Sequence, residues 1–155
     1  MAEPTPEELF DLGVKSSEAK DFTQAKKYFE KACNLNYGGG CGALGDLYDD
    51  GKGVEKNLIK AAQLYTKACE LKDGLGCKDL GTLYYSGKGV EKDLIKAAYF
   101  YSKACELKES FGCGALAALY INGRGVEKNL TKADQYLSKA CKLGDQEACE
   151  ALKEK

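Results

Sequence analysis

The chain has 155 residues, 23 Lys+Arg against 24 Asp+Glu and no histidine, for a formal charge of -1. That length suits one compact domain or a short repeat array, and the balance leaves no basic footprint for nucleic acid. Apolar stretches run only a few residues, far short of the ~20 that span a bilayer. The first ten residues, MAEPTPEELF, lack the charged start and apolar run of a secretory signal, so either an export signal has been removed or the chain was never exported. Ala, Leu, Lys and Glu are plentiful and the two prolines, Pro4 and Pro6, both precede the body of the chain, which favours helix throughout. The clustered glycines read as punctuation between helices.

Self-similarity sets the architecture. Ala-Cys recurs at Ala32-Cys33, Ala68-Cys69, Ala104-Cys105 and Ala140-Cys141, at a step of 36 residues. Cys41, Cys77, Cys113 and Cys149 keep the same step, and Gly-x-Gly-Val-Glu-Lys recurs at Gly51, Gly87 and Gly123. In chain order, the expected helix pairs fall at 6–37, 38–73, 74–109 and 110–144, closed by a capping helix at 145–154. The first pair is atypical: Leu12-Gly13 precedes Leu44-Gly45 by only 32 residues, and Lys20-Asp21-Phe22 replaces the long glycine loop. Each later pair has a shorter helix A, with apolar positions such as Cys77, Leu80, Gly81, Leu83 and Tyr84. Its longer helix B begins after an N-cap residue, Asn57, Asp93 or Asn129, and carries a stripe such as Leu58, Ala61, Ala62, Leu64, Tyr65, Ala68 and Cys69. A single hairpin cannot bury such a stripe, but stacked neighbours can, so the expected fold is an all-α, right-handed α/α solenoid.

Eight cysteines stand in four pairs, each with seven intervening residues. Three readings compete. Local disulfides, Cys33–Cys41, Cys69–Cys77, Cys105–Cys113 and Cys141–Cys149, are favoured by the regularity and would place the protein in an oxidising compartment, secreted or periplasmic. Buried free cysteines are the plainer alternative. Zinc is disfavoured by the spacing and the absence of histidine, so no metal and no cofactor is expected.

The run Lys-Ala-Ala-x-x-Tyr-x-Lys-Ala-Cys-Glu-Leu, followed by Gly-Cys-x-x-Leu-Gly-x-Leu-Tyr-x-x-Gly-Lys-Gly-Val, resembles the Sel1-like repeat. With its paired cysteines the chain looks like the Helicobacter cysteine-rich proteins of that family. The resemblance implies tetratricopeptide-like α/α repeats, export, and a disulfide in each repeat. It also implies two functional readings, slow β-lactamase or penicillin-binding activity and interaction with host factors. The near-identity of GKGVEKNLIKAAQLYTKACE and GKGVEKDLIKAAYFYSKACE suits a recent duplication or a consensus-like engineered sequence.

A serine β-lactamase built on Ser-x-x-Lys also needs Ser-Asp-Asn and Lys-Thr-Gly elements. Ser17-Glu18-Ala19-Lys20 fits the first, and neither of the others occurs. No catalytic residue is therefore expected. The Gly-x-Gly loops lack both the dinucleotide and the P-loop pattern, and their recurrence at the repeat step makes them turns.

In a right-handed stack the A helices line the concave side. Inward, non-packing positions are Phe10, Asp11, Val14 and Ser17, then Gly42, Ala43, Asp46 and Asp49. The later units place Lys78, Asp79, Thr82 and Tyr85, then Gly114, Ala115, Ala118, Ile121 and Asn122 there. These vary between units while the packing positions barely change, although drift of solvated positions accounts equally well for any one of them. A peptide site is expected at Phe10, Val14, Asp46, Asp49, Lys78, Thr82, Tyr85, Ala118, Ile121 and Asn122, with Asp46, Asp49 and Lys78 setting charge preference. Phe10 and Val14 stand where related tetratricopeptide carboxylate clamps carry Lys and Asn, so that clamp is not expected. The partner is then a peptide or protein held by a monomeric scaffold. A weak β-lactam-binding protein and a scaffold without native ligand are the alternatives.

Overall fold

The computed structural model describes residues 2–154, and among these the regular secondary structure is entirely helical. The order is α1 (Pro6–Glu18), α2 (Phe22–Asn34), α3 (Gly38–Asp50), α4 (Leu58–Glu70), α5 (Gly74–Ser86), α6 (Leu94–Glu106), α7 (Ser110–Asn122), α8 (Leu130–Lys142) and α9 (Gln146–Lys153). The chain divides into two compact units, one ending at Gly76 and the next beginning at Cys77.

Helix starts follow from side-chain capping. Asn57, Asp93 and Asn129 accept from the amides of Lys60, Lys96 and Lys132 at 2.9–3.1 Å, satisfying donors that the first turn leaves without a partner. In α1, Thr5 and Glu8 form a reciprocal capping box. The A helices are not shorter than the B helices: α1 to α8 are all 13 residues long. Two different stops produce this equality. An A helix such as α3 or α7 continues to a left-handed glycine, Gly51 or Gly123. A B helix stops two residues before a positive-φ position that need not be glycine: Asn36, Lys72 and Lys108 have φ of 63°, 65° and 68°. There the following amide bonds back five residues, as from Tyr37 to Ala32 and from Glu109 to Ala104, both at 3.0 Å.

That reversal brings the cysteines together. Disulfides join Cys33 to Cys41, Cys105 to Cys113 and Cys141 to Cys149, with Cα separations of 4.5, 4.6 and 4.7 Å. Cys69 and Cys77 are also disulfide-bonded, and no free cysteine occurs among the described residues.

In the first unit, Ala25, Phe29, Leu44 and Leu47 form a buried cluster into which Val54 of the glycine loop packs. In the second, Ala97, Ala98, Tyr101, Leu116 and Leu119 do the same with Val126. The loops are thus turns anchored by their valines. Helix α9 lays Ala148, Ala151 and Leu152 on a cluster that includes Leu137 and Ala140.

Candidate functional site

A close helix–helix approach places the inward side chains. A Cβ added to Gly81 would lie 2.9 Å from the Tyr101 ring, and one on Gly45 would lie 2.7 Å from the Tyr65 ring. Glycine lets each ring lie flat against helix A, and the ring's hydroxyl then reaches the next inward position. Tyr65 Oη donates to Asp46 at 2.6 Å, with Asp49 at 3.4 Å. Tyr101 and Thr82 share a hydrogen bond of 3.0 Å. Because the Thr82 hydroxyl already donates to the Lys78 carbonyl, the phenol is the donor in that pair. At the corresponding place in the last pair, Ala117 replaces the glycine and Leu137 the tyrosine, and Ala118 stands where the polar acceptor was. The polarity of an inward position therefore follows the identity of the B-helix residue beneath it.

On the second unit these residues bound a pocket of about 300 Å³. Thr82 and Tyr85 of α5 form one side, and Phe111, Ala115, Ala118 and Asn122 of α7 the other. Tyr101 and Leu119 floor it, and Arg124 closes one end. Arg124 Nη1 donates to Tyr85 Oη at 2.7 Å, and its guanidinium lies 5.2 Å from that ring's centroid. No lining residue is acidic. Burial pushes the Tyr101 phenol above the usual tyrosine range, with Tyr85 and Asp79 adding to the shift.

Four of the expected site residues, Thr82, Tyr85, Ala118 and Asn122, line this pocket. Lys78 stands beside it, 5.7 Å from the Phe111 ring centroid and 3.4 Å from Asp79. Ile121 is exposed and does not line it.

On the first unit, Phe10 is half-buried against Phe29 and Tyr37, with ring centroids 5.7 and 5.4 Å apart. Val14 packs on the same cluster. Asp46 and Asp49 hold the Tyr65 hydroxyl, so their carboxylates serve the fold as well as facing outward. Ser17 lies in the last turn of α1, where its carbonyl accepts from the Lys20 amide, an ordinary helix-end arrangement.

Arg124, Phe111 and Tyr101 were not among the expected peptide-site residues. Arg124 could have been found: it is the one arginine in the sequence, at a loop position where Lys52 and Lys88 stand in the other repeats. Phe111 likewise breaks the repeat, standing where Gly39 and Leu75 do. Tyr101 sits at a stripe position and reads as core, which it also is, at 4% exposed.

The Sel1 repeat family model matches residues 9–37, 40–73, 75–109 and 110–145. Among curated proteins, the chain is 63% identical over 60 residues to a putative beta-lactamase HcpC of Helicobacter pylori, covering 39% of this chain and 21% of that one. It is 55% identical over 60 residues to a beta-lactamase HcpA of Helicobacter pylori, covering 39% and 24%. Each match thus spans about a fifth to a quarter of the relative's length. Among solved structures, Helicobacter pylori cysteine rich protein B is 43% identical with a TM-score of 0.71, over 85% of this chain and 95% of that one. A Sel1 repeat protein from Oxalobacter formigenes is 31% identical with a TM-score of 0.86, over 90% and 58%.

Proposed function

The chain belongs to the Sel1 repeat family, an all-α solenoid class, and on that premise we propose that it is an exported interaction scaffold that binds an extended peptide on the α5–α7 face. The observation that carries this reading is the pocket between Thr82, Tyr85, Phe111 and Ala118: an apolar hollow with few polar groups, lined by A-helix positions that differ between the repeats. Monomeric proteins seldom leave exposed aromatic groups such as Phe111 and Tyr85 around a hollow without use. The disulfides support an extracytoplasmic location, because short local bridges persist only in oxidising surroundings.

A peptide-display selection on the oxidised protein tests the reading. Selected peptides should bind the native chain and lose binding on Ala118→Glu, which places a charged side chain in the hollow. Binding should survive Ile95→Glu on helix B, where Ile95 is 73% exposed. Peptides indifferent to Ala118→Glu would remove this face from consideration. A second reading, β-lactam binding or hydrolysis, is favoured by the names of the Helicobacter pylori relatives. A chromogenic cephalosporin separates the two, since turnover by the oxidised protein would support the second and a peptide scaffold predicts none.

A further inference from the structure

The second unit carries a second pocket, of about 270 Å³, which shares Phe111 and Ala115 with the first. Its far side is formed by Asp145 and Glu147 at the start of α9. The two hollows therefore adjoin across one aromatic wall, with a cation at one outer end and carboxylates at the other. Both lie at or below the bottom of the roughly 300–1,000 Å³ typical of small-molecule sites, so each suits one side chain.

The charges at the two ends are available. Arg124 uses one donor on Tyr85, and among the described residues no carboxylate pairs with it. A guanidinium fork has five N–H donors, so it retains the geometry for a bidentate carboxylate. Its ring contact with Tyr85 holds it in place beforehand. Glu147 is exposed and has no cationic partner among the described residues. Asp145 accepts from the Ala148 amide at 3.3 Å, which fixes its carboxylate at the mouth. Lys78, over the Phe111 ring, is matched by Asp79 at 3.4 Å and so adds little net charge between the ends. Packing does not impose this polarity: the positions matching Glu147 are Gly39, Leu75 and Phe111.

We propose that this face reads an extended peptide of fixed polarity, with an acidic group at Arg124, an apolar side chain against Phe111 and a basic side chain at Glu147. The proposal rests on the peptide-binding reading above and adds the ligand's charge order and direction.

The test uses the oxidised full chain and a random heptapeptide display library, with internal and free-C-terminal versions to separate a side-chain carboxylate from a terminal one. Native protein should enrich acidic, apolar and basic positions in one chain direction. Arg124→Ala should erase the acidic preference and keep the basic one, and Glu147→Gln should do the reverse. A fluorescein-labelled peptide of the enriched sequence should bind Arg124→Ala about tenfold more weakly by anisotropy, as expected for losing one charge-assisted pair. The same peptide with its acid neutralised should lose as much on native protein and nothing further on Arg124→Ala. Circular dichroism of both variants confirms that the fold is retained. Enrichment of apolar residues without charge order, or charge order unmoved by either substitution, would overturn this inference and leave the peptide-binding reading standing. No enrichment at all would overturn both.

Discussion

Gly81 and Tyr101 offer the sharpest test of how the repeats are packed. In Gly81→Ala the new methyl would lie 2.9 and 3.0 Å from two ring carbons of Tyr101, a side chain only 4% exposed and unable to swing away. Alanine gains about 1 kcal/mol of helix propensity over glycine. Overpacking a filled interior costs about 1–3 kcal/mol, so the single change should destabilise by about 1 kcal/mol net. Tyr101→Leu leaves a partial cavity and removes the bond to Thr82, for about 2–3 kcal/mol. Combined, the two changes recreate the Ala117/Leu137 pair that the last repeat already uses. The methyl then occupies space the ring has vacated while the propensity gain remains. The double variant should lose only about 1–1.5 kcal/mol, a coupling of about 2 kcal/mol. Urea unfolding of the four oxidised proteins, followed by circular dichroism, gives the cycle directly. Additivity within about 0.5 kcal/mol would refute the claim that glycine is present to admit the ring.

Three further outcomes follow from other parts of the fold. Replacing Cys105 and Cys113 together with serine should lower stability by about 2–3 kcal/mol on the chain-entropy estimate for so short a loop, measured by denaturant midpoint against the fully bridged protein. Asp46→Ala and Tyr65→Phe should each cost about 1 kcal/mol, reduced from the charged-bond range because Asp46 is exposed, and the double variant should cost little more than either. Equal and additive losses would mean that the 2.6 Å bond contributes nothing. Tyr101 should make stability fall at high pH. Its folded pKa is raised, so its contribution is intact below the unfolded value of about 10 and is lost as pH rises through the folded value, where the unfolded chain ionises first. Thermal melts across that window should steepen for the native protein and flatten for Tyr101→Phe.

Much of the fold is legible in the sequence because its causes are local. The capping residues Asn57, Asp93 and Asn129 act on amides three residues ahead. The cysteine bridges close over eight positions. Helix length was less legible, since Lys72 and Lys108 are strong helix formers that nonetheless take positive φ, and only the turn they close explains it. Four of the ten expected peptide-site residues line the pocket because the repeat register assigns a face to each A-helix position.

The sequence by itself determined the period, the caps and the glycine loops, all of which depend on neighbours within about one helical turn or one repeat step. Only the tertiary structure decided which of those residues make a hollow and what chemistry it has. Thr82 meets Tyr101 across 19 residues and Arg124 meets Tyr85 across 39. Periodicity cannot report such meetings. The first depends on how closely two helices pack, which Gly81 beneath the Tyr101 ring allows, and the second on where the loop after α7 carries Arg124.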